Sequence, residues 1–313
     1  MNSVLQINSQ FPFFFPTVFF LFGACVGSFL NVCIFRIPAG KSIVRPPSHC
    51  ACGKPIAWHD NIPILGWILL RGRARCCGRR ISFRYPLVET LTAAVFCAAW
   101  VCLPPVQALV GMVFLSILIF CSFVDIDTMM LPDFATIGGA ALGLAISAVL
   151  PDVHSARIEG APFLASAVAS CVASVCGIAV GSGILYWLRL AGEVAFGREA
   201  MGEGDVILVG MIGAFCGWQG AVFAIFAGSL IGAIVMLPVL AFRALWEKSK
   251  NSGKKSGKAE PKGTPESGGE ACEAGCGEIP YGPWLALGGG LYYLFFSRAV
   301  DEYFAAVANM LFG

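Results

Sequence analysis

Charge is scarce in this chain: Asp, Glu, Lys and Arg make up 13% of its 313 residues against 57% apolar residues, and the mean hydropathy is +0.77. That scarcity excludes a water-soluble globule, because the polar residues are too few to cover the apolar ones. The first apolar run has no basic stretch ahead of it and no clear small-residue cleavage site behind it. It is therefore expected to stay as a helix rather than be removed as a signal peptide. No internal repeat is evident, which argues against a transporter assembled from inverted halves. No glycine-rich phosphate fingerprint is evident either, so the sequence marks no nucleotide site. The formal net charge is only +2, and the basic residues are explained by membrane topology, so nucleic acid is not an expected partner.

What the chain has instead is long apolar runs, at 11–35, 86–103, 106–124, 134–150, 161–188 and 206–242, with a last one from Pro283. Strands with open edges would leave backbone polar groups unpaired in lipid, so the runs are predicted as helices, each needing roughly 20 residues to cross a bilayer. The run at 206–242 is long enough for a hairpin turning near Cys216-Gly-Trp-Gln-Gly220. The predicted class is an all-α polytopic membrane protein with about eight transmembrane helices and a cytoplasmic cysteine-containing loop, surrounded by membrane lipid.

The positive charge is unevenly placed. Of the 21 Lys and Arg residues, ten fall between Arg36 and Arg84, two between Arg189 and Arg198, and seven between Arg243 and Lys262. Positive loops face the cytoplasm, which puts those three segments inside and both termini outside. The chain then divides into a first transmembrane helix (1–36), a cytoplasmic Cys-rich loop (37–85), a transmembrane core (86–245), a disordered cytoplasmic linker rich in Lys, Gly, Ser and Glu (246–280), and a C-terminal transmembrane segment (281–313).

Two aspartates lie against apolar runs on that same inner edge: Asp125, in Phe123-Val-Asp-Ile-Asp-Thr-Met-Met-Leu-Pro-Asp133, and Asp205, in Gly202-Glu-Gly-Asp205. An Asp that opens a helix is commonly a plain N-cap, and Asp127 and Asp133 read as a turn residue and a helix cap. Two carboxylates from separate helix ends at one membrane edge point instead to acid/base chemistry. Such a pair hydrolyses a peptide bond when one member takes a proton from water and the other, protonated, polarises the carbonyl. Asp205 opens a helix, where the macrodipole favours the anion, and Asp125 ends one, so Asp205 is assigned as base and Asp125 as acid. A proton-coupled membrane transporter using the same carboxylates is the alternative, and a non-catalytic assembly scaffold is a third class.

Eight of the 14 cysteines lie in apolar runs and read as small buried hydrophobes. Cys50, Cys52, Cys76 and Cys77 fall in the cytoplasmic loop, where thiols stay reduced and clusters tend to bind metal. They are candidate ligands for a Zn²⁺ ion that would staple the loop, with His49 as an alternative ligand; free thiols are the other reading, because the Cys-x-Cys and Cys-Cys spacings suit a tetrahedral site poorly. His59 and His154 show no partner. Cys272 and Cys276 fall in the linker and receive no role.

The segments Gly27-Ser-Phe-Leu-Asn-Val-Cys-Ile-Phe-Arg-Ile-Pro38, Asn61-Ile-Pro-Ile-Leu65, Leu70-Arg-Gly72, Ile81-Ser-Phe-Arg-Tyr-Pro-Leu-Val-Glu89, the Asp125 to Asp133 stretch, Gly202-Glu-Gly-Asp205 and Ile279-Pro-Tyr-Gly-Pro-Trp-Leu-Ala286 follow one another in an order that resembles the type IV prepilin peptidases. The resemblance covers most of the chain. It implies a bifunctional enzyme of the bacterial inner membrane: an intramembrane aspartic protease of the GxGD type that cleaves the basic leader of type IV prepilins or type II secretion pseudopilins after a glycine, facing the cytoplasm. It also implies N-methylation of the new terminus from S-adenosylmethionine. Carried over residue by residue, the catalytic carboxylates fall on Asp125, seven residues before Pro132, and on Asp205, with Asp127 the less favoured alternative to Asp125. Bifunctional relatives carry two Cys-x-x-Cys pairs in the loop. With Pro55-Ile56 and Ile81-Ser82 in register, Cys52 and Cys77 are the second members, and the first members fall on His49 and Ala74.

Overall fold

The computed structural model describes residues 11–50, 52–154, 162–197, 201–254 and 280–312. Among them the regular elements are helices: α1 (Phe14–Arg36), α2 (Leu65–Leu69), α3 (Arg84–Cys102), α4 (Pro105–Thr128), α5 (Asp133–Val149), α6 (Phe163–Phe196), α7 (Glu203–Lys254), α8 (Gly282–Leu291) and α9 (Ser297–Phe312). A π-helical turn over Tyr292–Phe296 joins the last two. The chain is thus the all-α polytopic membrane protein that its composition demands. Helices α1, α3, α4, most of α6 and residues 203–242 of α7 are long and apolar enough to cross a bilayer, and α5 is apolar but shorter. The expected figure of about eight spans counts α7 twice and adds α5 and the C-terminal segment; among the described residues, length and composition support five. Helix α7 runs on through Lys254, into the segment expected to be linker, while residues 255–279, with Cys272 and Cys276, lie outside the described residues, as does Arg157.

Small residues set how the helices meet. Helices α1 and α3 run antiparallel: Phe19 stacks on Trp100 at 4.4 Å, Gly23 meets Ala93, Gly27 meets Glu89, and the Asn31 side chain donates to the Tyr85 carbonyl at 3.0 Å. Helices α4 and α8 are likewise antiparallel, because the Tyr293 hydroxyl donates to the Gln107 carbonyl at one end while Gly282 touches Asp125 at the other.

Helix α7 doubles back at Gly217, whose φ of 71° and ψ of −177° interrupt it. Its first arm runs parallel to α8, with Asp205 beside Gly282 and Ile212 beside Gly289; its second arm returns, with Ala224 beside Gly288 and Gly228 beside Leu285. Only glycine adopts such a backbone without strain, and the turn falls within the predicted segment. Breaking a helix in an apolar core strips carbonyls of their partners. The Ala214 carbonyl recovers two: the Ser174 hydroxyl donates to it at 3.0 Å, and His154 Nε2 lies 3.2 Å away. His154 is therefore not partnerless, and Ser147 holds the same nitrogen at 3.0 Å. Burial pushes its imidazole below the ordinary histidine value, keeping it neutral.

Against α6 the first arm of α7 approaches to backbone contact, where a methyl on Gly177 or Gly213 would strike the other residue's carbonyl. Gly213→Ala is accordingly expected to destabilise the folded protein by about 1–3 kcal/mol. Gly183→Ala, on the partner helix α6 but facing open space, is the control and should melt at the wild-type temperature in detergent.

Candidate functional site

Asp125 lies in the last turn of α4, and Asp205 in the first turn of α7. Both are buried, at 5% and 7% exposure. Between them comes the start of α8, a segment to which the sequence reading gave no role. The Gly282 N–H donates to Asp125 Oδ2 at 3.1 Å. A methyl placed on Gly282 would lie 2.7 Å from that oxygen and 3.5 Å from Asp205 Oδ1, so the two carboxylates stand no further apart than those lengths together. Asp205 also accepts from the Gly202 backbone N–H, the return bond of a capping box. The aspartates thus face one another across an α-carbon that carries no side chain.

The other acidic candidates stand elsewhere. Asp127 points away from the pair and forms an ion pair with Arg84 at 2.5 Å, each side chain about a third exposed (35% and 33%). Asp133 is the first residue of α5 but makes no capping bond; Pro132 holds the cap position. Glu203 opens α7 and, exposed, pairs with Arg189 at 3.0 Å.

Residues 37–83 form a lobe at the end of α1 and α3 that adjoins the aspartates. Arg84 fixes the relation, since its guanidinium also donates to the Phe123 carbonyl at 3.0 Å, two residues before Asp125, and lies over the Phe123 ring. Two tight turns in the lobe carry the cysteines. A bridge between His49 and Pro55 closes the first, and one between Arg73 and Arg80 closes the second. Each turns on a left-handed glycine, Gly53 and Gly78, directly after its last cysteine. The consequence is a convergence that the spacing argument did not foresee: the sulfurs of Cys50, Cys52, Cys76 and Cys77 all lie within 4.8 Å of one another. Contacts of 3.5 Å (Cys50 to Cys77) and 3.3 Å (Cys52 to Cys76) cross between the turns. Adjacent cysteines are no obstacle, because the turn sends both inward. A tetrahedral Zn²⁺ with Zn–S bonds of about 2.3 Å separates its sulfurs by about 3.8 Å, so the four thiols fit such an ion. His49 stays outside the cluster, with Nδ1 on the Pro47 carbonyl. Hydrogen bonds from the Cys52 backbone and neighbouring thiols push the Cys50 thiol down to about 6, while its partners push Cys76 up to about 12; a shared thiolate is what a metal replaces protons to obtain. His59 has a neighbour too, Asp60 at 3.6 Å, and Arg75 clasps Asp60 through two bonds of 3.0 and 2.7 Å.

Fold and site together define a polytopic helical membrane protein with a buried pair of aspartates at one edge and a lobe carrying four converged cysteines beside it. Comparison with known proteins gives it a family. Residues 21–103 match the bacterial peptidase A24 N-terminal domain and residues 112–237 match the type IV leader peptidase family. The chain is 37% identical over 257 residues to a prepilin leader peptidase/N-methyltransferase of Myxococcus xanthus, covering 78% of this chain and 70% of the relative. It is 38% identical over 222 residues to the protein so named from Klebsiella pneumoniae (68% and 90%), and 31% identical over 312 residues to that of Pectobacterium carotovorum (92% and 96%). No solved structure matches significantly. The chain belongs to the type IV leader peptidase family, and is an enzyme.

The Arg84 to Asp127 pair is about a third exposed and serves as a clamp rather than a large source of stability. A double-mutant cycle of Arg84→Ala and Asp127→Asn, read by chemical denaturation, is expected to return a coupling of about 0.5–1 kcal/mol. A coupling near zero would remove the clamp.

Proposed function

We propose that this chain cleaves the basic leader of type IV prepilins or type II secretion pseudopilins after a glycine, with Asp125 and Asp205 as the catalytic carboxylates. On the same proposal it then N-methylates the new terminus from S-adenosylmethionine, in the bacterial inner membrane with its active site facing the cytoplasm. The observation that carries the reading is the meeting of two buried carboxylates from α4 and α7 across Gly282. The relatives' names and the family match support peptidase over transporter.

Hydrolysis asks the pair to hold one proton. The ionised carboxylate takes a proton from water as the oxygen bonds to the scissile carbonyl carbon; the protonated one gives its proton to the carbonyl oxygen. As the intermediate collapses, the C–N bond breaks and the leaving amine takes a proton back. The sequence-based division into Asp205 as base and Asp125 as acid counted only the helix to which each residue belongs. Helix α8 brings a third terminus, whose Gly282 N–H serves Asp125, so helix ends no longer separate the two, and the pair acts as a unit. A prepilin helix in the membrane, with its basic leader in the cytosol, sets its scissile bond at the inner interface, and the basic residues of the adjoining lobe support the same edge for these carboxylates. The bare α-carbon of Gly282 leaves room for an extended substrate strand. Zn²⁺ bound by Cys50, Cys52, Cys76 and Cys77 is structural on this reading: it ties the two turns of a lobe that has little core of its own.

Asp125→Asn and Asp205→Asn are each expected to lower cleavage of a prepilin-like peptide by about 100-fold or more, followed by mass spectrometry of the products, while the melting temperature holds or rises. Full cleavage by either variant would remove that residue from the reaction. Metal analysis of the purified protein is expected to find about one zinc per chain. Cys52→Ser should lose it and Cys102→Ser keep it; equal zinc in both variants would leave the four sulfurs as free thiols.

A further inference from the structure

Between the lobe and the antiparallel pair α1 and α3 lies an open cleft of about 860 Å³, separate from the aspartates. Its walls include Ser28, Asn31, Tyr85 and Glu89 from the helices, and Asp60 and Trp67 from the lobe. The volume is at the upper end of what small-molecule sites offer, about 300–1,000 Å³, enough for an adenosyl cosubstrate beside a peptide terminus. We infer that this cleft binds the methyl donor, with the Glu89 carboxylate facing the donor's sulfonium charge. The inference rests on the methyl-transfer reading above and supplies the site which that reading lacks.

Glu89 is the feature that needs explaining. It sits on an apolar helix at 8% exposure. One of its oxygens accepts the Ile64 N–H at 2.7 Å, and the Ser28 side chain donates to it as well. Ile64 holds φ at 62°, a conformation that costs a β-branched residue on the order of 1–3 kcal/mol. A strut between lobe and helix would require only an acceptor, and glutamine would serve. A carboxylate adds a negative charge, and among the described residues no cation is paired with it. Four arginines line the cleft: Arg36 donates to the carbonyls of Ser42 and Pro46, Arg75 clasps Asp60, and Arg79 and Arg80 are exposed and form no ion pair with Glu89. A cation from outside would complete the site.

Methyl transfer brings one. The lone pair of the new terminal amine forms the N–C bond, the C–S bond breaks with its pair going to sulfur, and the positive charge passes from sulfur to nitrogen before a proton leaves to water. Glu89 faces that charge before and after the transfer. The two sites also share an edge: Glu89 is five residues along α3 from Arg84, which pairs with Asp127 two residues beyond Asp125. A terminus freed at the aspartates then has a short way to move.

Calorimetry on the full chain in detergent, titrated with S-adenosylmethionine and with its neutral product S-adenosylhomocysteine, tests this. Wild type should prefer the donor. Glu89→Gln, which keeps an acceptor for Ile64, should lose about tenfold in donor affinity and stay within about twofold for the neutral product. On unmodified protein, hydrogen exchange with donor present should slow at 60–67 and 81–89, so the question does not depend on the variant folding. Equal donor affinity in Glu89→Gln, or protection elsewhere, overturns the site alone; no donor binding by wild type overturns it together with the methyl-transfer reading.

Discussion

The approach of α8 to the two aspartates is the contact on which the rest of the structure depends. A charged carboxylate in an apolar helix costs about 2.5–3.5 kcal/mol on insertion scales, and two that face each other add their repulsion. The Gly282 N–H offsets part of that cost at Asp125, and the Gly202 N–H part of it at Asp205. The bond at Asp125 cannot form unless backbone comes closer than a side chain allows, since a methyl on Gly282 would lie 2.7 Å from the carboxylate oxygen. The same demand recurs through the bundle: Gly228 and Gly288 let the second arm of α7 lie on α8, and Gly177 and Gly213 let the first arm lie on α6. Without lipid-side hydrophobic attraction between helices, such small-residue contacts are what membrane bundles pack by. The break at Gly217 then sets both arms of α7 against α8, and Asp205 reaches Asp125 as a result.

Much of this was legible in the sequence. Apolar run lengths gave the helices, the bias of Lys and Arg put one set of loops on one side, and that placement brought Asp125 and Asp205 to a common edge. The hairpin at Gly217 followed from a run too long for a single span. What the sequence could not display was contact between segments far apart along the chain. Gly282 lies 157 residues from its partner, and a glycine inside Tyr-Gly-Pro reads as a turn until a carboxylate is found beside it. His154 looked partnerless for the same reason, since its carbonyl partner, Ala214, is exposed only by a helix break 60 residues further on.

The cysteines show a different limit. Spacing alone treats the chain as running straight through each pair, and on that basis Cys-x-Cys and Cys-Cys suit a tetrahedral site poorly. The signal that mattered was the glycine after each pair, because a left-handed residue at Gly53 and Gly78 curls the backbone so that neighbouring thiols point inward together. Glu89 obeys the rule that singles out the aspartates. An ionisable side chain against an apolar run distinguishes Asp125 and Asp205, and Glu89 stands in the run at 86–103 in the same way.

Helix α3 carries the consequence furthest. Arg84 and Glu89 are five residues apart, and at 3.6 residues per turn they point about 140° away from each other around the helix axis. One faces α4 and the aspartates, through Asp127 and the Phe123 carbonyl; the other faces the cleft, through the Ile64 amide. The helix is therefore a wall common to both sites, and the lobe is fastened to the membrane helices on its two sides. On the proposed reading the order of reactions is fixed by chemistry, because the amine to be methylated does not exist until the leader is cut. A shared wall lets the second site receive that amine while the substrate helix stays in the bilayer, and the clamp at Arg84 keeps the distance between the sites constant as it does so.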